Sequence, residues 1–222
     1  MNMNFHPPRV MLGCVKIALA ASLALLAVHS NAEGEAITAD SDDARGASIA
    51  TCVACHGVLG QGSESGVPRL AGKDPDYLAH ALSMFKAGTR ISPPMQAVAQ
   101  SLSESDMRSL AVFFSKQHPP LAKASTSPPS ALVMAGRQLA ETGAGASVQA
   151  CFSCHAAGGK GNGVRFPSIA GEPVAFTVAR LHEFQARAKA STPKPGTMTA
   201  VAASLDEKQI DQVAAYLSVI DP

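Results

Sequence analysis

The sequence predicts an all-α protein made of two similar helical domains in tandem. A Cys-x-x-Cys-His run occurs at residues 52–56 and again at 151–155, and the residues around both runs match at the same spacing. In each copy, apolar residues recur with the period of a helix, and no segment convincingly predicts a strand.

The repeat extends beyond the two cysteine-histidine runs. At an offset of 99 residues the following pairs match: Pro68 with Pro167, Leu70 with Ile169, Tyr77 with Phe176, Leu82 with Leu181, and Phe85 with Phe184. The offset becomes 103 at Met95 and Met198, so four residues are inserted in the region of Ser191 to Pro195. One domain present twice is the simplest explanation.

Three helices are predicted in the first copy. The first spans about 40–51. The second begins at Asp74-Pro75, a capping residue followed by proline, and stops near Gly88. The third begins with the capping sequence at 103–106. The apolar residues assigned to the second and third helices are Leu78, Ala81, Leu82 and Phe85, then Met107, Leu110, Ala111 and Phe114.

The second copy repeats this order. Helices are predicted at about 130–142, from Glu172-Pro173 onward, and from Asp206, with Gln209 at the capping-box position. The apolar residues assigned to the last two helices are Phe176, Val178, Ala179, Leu181 and Phe184, then Ile210, Val213, Ala214 and Leu217. Three helices per copy are therefore expected.

Residues 1–32 have the features of a secretory signal peptide. Arg9 and Lys16 precede an apolar run at 17–28 that is too short to span a bilayer, and a small-residue cleavage site follows it. We therefore expect the remaining chain to act in the periplasm, with an uncleaved membrane anchor as the alternative. The other predicted limits are a domain at 33–117, a Pro/Ser-rich linker at 118–130 and a domain at 131–222.

The repeated run has the chemistry of covalent haem attachment. Its two thiols can add to the vinyl groups of one haem, and the following histidine becomes an axial ligand of the iron. Cys52 and Cys55 are thus assigned to one haem c, and Cys151 and Cys154 to a second. A lone Cys-x-x-Cys would also suit a redox disulfide or half of a zinc site, but a histidine follows both pairs directly.

The axial ligands are predicted from the same repeat. His56 and His155 are the proximal ligands, and Met95 and Met198 are the sixth ligands, because Met-x-Ala-Val-Ala occurs in both copies. Ligation by histidine and methionine raises the reduction potential and leaves no position open for oxygen or peroxide. Core filling is the alternative role of a methionine, and it is assigned to three that lack a partner in the repeat: Met84, Met107 and Met134.

Other polar residues are weaker candidates for the haem sites. Three histidines without a partner in the repeat are expected at the surface: His80, His118 and His182. Arg69 faces Ser168 in the repeat, which argues against a shared role in binding haem propionates. Arg90 is assigned to a solvated loop, with a propionate contact as the alternative. Pro68 and Pro167 are expected to pack behind the proximal histidine or to leave its ring free to orient.

The order of these motifs resembles that of the class I cytochromes c. It runs from Cys-x-x-Cys-His through a Pro-x-(Leu/Ile)-Ala-Gly segment and a helix bearing Tyr77 or Phe176 to Met-x-Ala-Val-Ala before a capped last helix. The tandem arrangement is similar to the dihaem cytochrome c4 family of bacterial periplasms, over about residues 40–220. The resemblance implies two class I cytochrome c domains, each wrapped around one haem. It also implies electron transfer from a membrane respiratory complex to a terminal oxidase or other acceptor.

Composition and motifs narrow the function further. A formal net charge of +1 and the lack of a basic stretch exclude nucleic acid as a partner. We expect an electron carrier rather than an enzyme, with redox proteins as partners; peripheral membrane association is compatible with this role. The alternative is the cytochrome subunit of a periplasmic dehydrogenase that oxidises sulfide, an alcohol or another small donor. A dihaem peroxidase is disfavoured, because it needs one iron open to peroxide and both copies supply a methionine.

Overall fold

The structure is a computed structural model that describes residues 49–121 and 124–222. The predicted signal peptide at 1–32 and most of the first predicted helix lie outside the described residues. Within those two ranges the regular elements are helices, and β-structure is limited to isolated bridges. The all-α prediction is confirmed.

Helices follow one another in the same general order in both halves of the described chain. The first half contains α1, described at 49–56, then α2 (Pro75–Lys86), α3 (Pro93–Gln100) and α4 (Glu104–Ser115). The second half contains α5 (Ser130–Thr142), α6 (Phe152–His155), α7 (Val174–Ala190), α8 (Met198–Ala203) and α9 (Glu207–Leu217). No helix in the described ranges combines the length and the apolar character needed to cross a membrane.

The predicted starts of α2, α4 and α9 are confirmed. The Asp74 side chain accepts a hydrogen bond from an amide in the first turn of α2. Ser103 with Asp106, and Asp206 with Gln209, form complete capping boxes at α4 and α9. Each cap satisfies amide groups that have no partner inside the helix, so the chain enters these helices at a defined residue.

The start of α7 differs from the prediction. Pro173 stands at the N-cap position of α7, and no side chain caps that helix. The Glu172 carboxylate, which the sequence placed at the start of the helix, binds groups in the first half of the chain instead. Its role is therefore in the contact between the halves.

Helices α3 and α8 are absent from the predicted set. Pro93 lies in the first turn of α3, where its missing amide costs no hydrogen bond, and Thr197 caps α8. With 8 and 6 residues, both helices are too short to show a clear apolar period. Met95 is the third residue of α3 and Met198 is the first residue of α8.

Each half has its own apolar core. The largest cluster lies in the second half and includes Leu139, Leu181, Ile210, Val213 and Leu217. Two smaller clusters lie in the first half, one around Leu78, Ala111 and Phe114 and one around Leu102, Met107 and Leu110. All predicted core positions of α4 and α9 are buried.

Two of the methionines assigned to the core differ in their exposure. Met107 is 4% exposed and belongs to a core cluster, as expected. Met134 is 67% exposed, so its assignment to the core is wrong. The buried residues of α5, Gly136, Leu139 and Ala140, lie on the opposite face of that helix.

Candidate haem sites

The histidines of the two repeated runs have the same environment. His56 and His155 are 6% and 5% exposed. The Nδ1 atom of His56 lies 2.9 Å from the Pro68 carbonyl oxygen, and Nδ1 of His155 lies 2.7 Å from that of Pro167. A carbonyl can only accept, so each Nδ1 carries the proton and each Nε2 keeps a free lone pair. This is the tautomer that a metal ligand requires.

The backbone around each histidine follows one pattern in both halves. The His56 carbonyl accepts from Gly62 N at 2.9 Å, and the His155 carbonyl accepts from Gly161 N at 2.8 Å. Both glycines have positive φ, and a Cβ atom on Gly161 would lie 2.4 Å from the Ser168 amide nitrogen. Only glycine fits this turn, which carries the chain back to the proline that holds the histidine.

Burial lowers the pKa of both predicted proximal histidines, His56 and His155. It is the largest influence on each ring, and the bond to the proline carbonyl opposes it. The charge of Glu172 also raises the pKa of His56, whereas the charge of Lys73 further lowers the pKa of His155. The lowered pKa of each imidazole favours its neutral form, which is the form that binds a metal.

The four cysteines of the two runs range from partly buried to exposed. All four in the described ranges are free, with Cys55 exposed and Cys52 and Cys151 partly buried. Desolvation raises the pKa of the Cys52 thiol, and it raises that of Cys151 to about 11. Side chains of Cys52 and Cys151 contact the apolar clusters of their own halves. In the first run, Cys52 is therefore more buried than Cys55, whereas in the second run Cys151 and Cys154 are both partly buried.

Both predicted methionine ligands lie at the start of a short helix and are half-buried. Met198 packs against the same apolar cluster as Cys151. In the first half the link is less direct: Val98 of α3 and Cys52 pack against one cluster, and Met95 lies one turn before Val98. The fold thus brings each methionine-bearing helix to the apolar region that contains the first thiol.

These donor sets fit a covalently attached haem. Each half offers two thiols, an imidazole with a free Nε2, and a methionine-bearing helix beside an apolar cluster. A zinc site does not fit, because residues 49–121 and 124–222 contain no group of three or more His, Cys, Asp or Glu side chains arranged for a metal. The three unmatched histidines are exposed, as predicted: His80, His118 and His182.

Arg90 is buried, so its assignment to a solvated loop is wrong. It is 8% exposed, and its guanidinium lies 4.7 Å from the centre of the Phe85 ring and 3.4 Å from the Tyr77 hydroxyl. Burial, followed by the charge of Arg90, lowers the pKa of Arg180 on α7. Arg180 pairs with Glu183, but within the described ranges no carboxylate pairs with Arg90. Because an unpaired buried charge is costly, an anionic partner in this position would be stabilising.

A polar contact that the sequence did not predict joins the two halves. Lys73 Nζ lies 2.6 Å from Glu172 Oε1 and donates to the Ser168 carbonyl at 2.7 Å. Glu172 Oε2 accepts from the Arg69 amide at 3.1 Å. The Arg69 guanidinium, in turn, donates to the carbonyls of Pro119 and Pro120 in the connecting segment, the first at 2.7 Å. Arg69 therefore ties the linker to the first half.

Comparison with known families settles the classification. The family model described as cytochrome c matches the chain twice, at residues 43–117 and 133–220. The chain belongs to the cytochrome c family. The double match and the two Cys-x-x-Cys-His runs make it a dihaem cytochrome c of the c4 type, with two covalent haem c groups.

Two curated relatives cover most of this cytochrome c. The thiosulfate dehydrogenase electron acceptor of Thiomonas intermedia is 34% identical, over 76% of this chain and 78% of that protein. Cytochrome c4 of Stutzerimonas stutzeri is 31% identical, over 83% of this chain and 91% of that protein. The matches span 171 and 195 residues, so each includes residues of both halves of the chain.

Solved structures give the same picture. Cytochrome c4 from Acidithiobacillus ferrooxidans has a TM-score of 0.66 and 30% identity, and the match covers 76% of this chain and 98% of that one. Thiosulfate dehydrogenase from Marichromatium purpuratum has a TM-score of 0.66 and 34% identity, but the match covers only 36% of that chain. This cytochrome c is therefore a dihaem electron-transfer protein.

Proposed function

We propose that the protein is a periplasmic electron carrier whose two haems have histidine and methionine as axial ligands. The first haem is held by Cys52 and Cys55, with His56 and Met95 on the iron. The second is held by the matched set: Cys151, Cys154, His155 and Met198. The observation that carries this proposal is the pair of buried imidazoles, each with Nδ1 bound to a proline carbonyl and Nε2 free.

The haem supplies one-electron chemistry when it is bound. The residues of the chain hold the imidazole in one tautomer and orientation, which limits rearrangement when the charge of the site changes. Met95 and Met198 would each supply a thioether ligand, which would favour the reduced state and leave no position open to small molecules. The proposed arrangement suits transfer of electrons and offers no site where a substrate would be bound and converted.

Arg90 is the residue that we assign to a haem propionate in the first half. Its side chain is buried, lies beside the Tyr77 hydroxyl, and has no carboxylate partner within the described residues. A propionate would supply the missing negative charge. The second guanidinium nearby, on Arg180, makes the region still more favourable for an anion.

The partners that we propose are a membrane respiratory complex as electron donor and a terminal oxidase or other acceptor. A second candidate is the cytochrome partner of a dehydrogenase. The relative from Thiomonas intermedia is named for accepting electrons from thiosulfate dehydrogenase, and the matching structure from Marichromatium purpuratum is itself a thiosulfate dehydrogenase. Thiosulfate is therefore the small donor that we would test first.

Stopped-flow reduction of the oxidised protein distinguishes the two roles. One arm uses thiosulfate with a purified thiosulfate dehydrogenase, and the other uses quinol with a purified quinol–cytochrome c oxidoreductase. Fast reduction by the quinol enzyme alone supports the general carrier, and fast reduction by the dehydrogenase alone supports the subunit role. Slow reduction by both, together with rapid peroxide turnover, would overturn the carrier proposal.

A further inference from the structure

Lys73 and Glu172 occupy matched positions in the two copies, because 99 residues separate them. Their contacts are reciprocal. Lys73 bonds to the backbone of Ser168 and Glu172 bonds to the backbone of Arg69, and these two partners are also 99 residues apart. The two halves thus meet around an approximate two-fold relation, in which each copy presents the same patch to the other.

Identical residues at such a position would bring like charges together. Here one copy has a lysine and the other a glutamate, and the two side chains are only 6% and 5% exposed. Water and salt screen a buried pair weakly. The pair is therefore a fixed dipole at the centre of an otherwise repeated arrangement.

The negative end of this dipole lies beside the first proximal histidine. The Arg69 amide that donates to Glu172 belongs to the same peptide unit as the Pro68 carbonyl that binds His56 Nδ1. One peptide group therefore connects the Glu172 carboxylate to the His56 ring. Through this peptide group, the carboxylate of Glu172 increases the partial negative charge on the Pro68 carbonyl oxygen. Its charge also acts on the His56 ring directly through space.

The positive end lies beside the second proximal histidine. Lys73 Nζ binds the carbonyl of Ser168, the residue directly after Pro167, and the Pro167 carbonyl binds His155 Nδ1. The effect on the histidine agrees with the sign of the charge. After the larger effect of burial, the positive charge of Lys73 also lowers the pKa of His155. Each histidine thus faces a charge provided by the opposite half.

We propose that this pair separates the reduction potentials of the two haems, with Glu172 lowering the potential of the first and Lys73 raising that of the second. An oxidised haem iron carries one more positive charge than a reduced one, so a nearby anion stabilises the oxidised state and a nearby cation the reduced state. The inference rests on the proposed ligation by His56 and His155. Lys73 and Glu172 are positioning residues that act through the backbone, and the first haem becomes the donor to the second.

Potentials assigned to each haem by NMR during a redox titration test this role. In E172Q the Gln oxygen still accepts from the Arg69 amide, and we expect the equilibrium constant for reduction of the first haem to rise at least threefold, about 28 mV for a one-electron couple. In K73M we expect that of the second haem to fall by a similar factor. The exchanged variant K73E/E172K keeps the net charge and inverts the dipole. The difference between the two reduction potentials should therefore narrow by more than in either single variant.

Matched controls change the same charges elsewhere. Glu104 and Lys208 are exposed on α4 and α9, and E104Q and K208M should leave both potentials unchanged. A purely structural role predicts a different result, because loosening of the interface would expose both haems and move both potentials in the same direction. If the K73E/E172K variant fails to fold, the two single variants E172Q and K73M still test the effect of each charge separately.

The proposed tuning would be overturned if both potentials stay unchanged in E172Q, K73M and K73E/E172K. It would also be overturned if both potentials shift in the same direction. The near-infrared sulfur-to-iron charge-transfer band, recorded on the same samples, reports the methionine ligands. If the band is normal and the difference between the two potentials is unchanged, the carrier role stands and only the proposed tuning by Lys73 and Glu172 is refuted. If the band is missing and the difference between the two potentials is narrower, the methionine assignment is refuted and the proposed tuning stands.

Discussion

Met95 and Met198 are held at the first turns of α3 and α8 rather than in loops. A residue in the first turn of a helix has a defined backbone, so its side chain reaches outward from a fixed point. Pro93 and Thr197 set that point from the preceding side. This local order would suit the proposed role of each thioether as a ligand that stays on the iron in both oxidation states.

Replacing either methionine should open one iron and leave the other unchanged. In Met95→Ala we expect the potential of the first haem to fall by on the order of 0.1 V, within the ~0.8 V range that axial ligands span. Met198→Ala should do the same to the second haem. The measurement is a redox titration combined with the near-infrared charge-transfer band, which should lose about half its intensity in each variant, in proportion to the ligands removed.

The exposed Met134 provides the control for this experiment. Met134→Ala removes a thioether that is 67% exposed and should change neither the band nor the potentials. If the band keeps its full intensity in both Met95→Ala and Met198→Ala, the assignment of the sixth ligands is wrong.

Single residues also show where sequence reasoning stops. The cysteines, histidines and methionines proposed for the haem sites could be selected from the sequence because their chemistry repeats at fixed spacing. Arg90 and Glu172 were misjudged for different reasons. Arg90 is buried against Phe85 and Tyr77 of its own half, and the sequence does not show which loop residues become buried. The partners of Glu172 lie about 100 residues away in the other half. A usable signal was present for one pair: Lys73 and Glu172 place opposite charges at matched positions of the repeat. Such a difference between copies predicts a contact only once the copies are known to face each other.

At the scale of elements, α5 and α9 cross closely at Gly136. A Cβ atom on Gly136 would lie 1.9 Å from the Gln212 carbonyl oxygen and 2.8 Å from Cβ of Tyr216. Backbone atoms of α9 cannot move aside without disturbing Val213 and Leu217 in the core. The glycine therefore fixes the distance between the two helices.

Gly136→Ala should destabilise the second half even though alanine favours a helix. We expect a loss of about 3 kcal/mol in the free energy of unfolding, as for other overpacked cores. Gln138→Ala, at an exposed position of the same helix, should change it by less than about 0.5 kcal/mol. Denaturant unfolding followed by circular dichroism measures both, and equal stability of the two variants would argue against a close crossing in solution.

Elements differed in how well the sequence predicted them. Helices α2, α4, α5 and α9 were predicted correctly because each is longer than ten residues, with a clear apolar period or a capping box. The short helices α3 and α8 were missed, since one or two turns contain too few apolar residues to define a period. The reciprocal contact of the halves was also missed, because it depends on tertiary packing.

At the scale of the whole molecule, the haems complete the apolar interior. The first half has two separate small clusters rather than one, and Cys52 packs against both. The chain has only 8 Phe, 2 Tyr and no Trp to fill its interior. A covalently attached haem beside Cys52 would join these clusters into one core, so its removal should cost much of the stability of this half.

Preventing attachment of one haem should therefore unfold one half. In Cys52→Ala/Cys55→Ala we expect the helical signal to fall by roughly the share of α1 to α4, while the second haem keeps its spectrum. The reciprocal variant, Cys151→Ala/Cys154→Ala, should spare the first haem and unfold the second half. Far-ultraviolet circular dichroism measures the loss, and a fully helical first half without its haem would contradict this view of the core.

The most direct test is a redox titration of the purified protein followed by near-infrared magnetic circular dichroism. We expect two haems per chain, both six-coordinate with histidine and methionine, and two separate one-electron steps. One haem per chain, or one iron that lacks the methionine signal at rest, would contradict the proposed pair of electron-transfer sites.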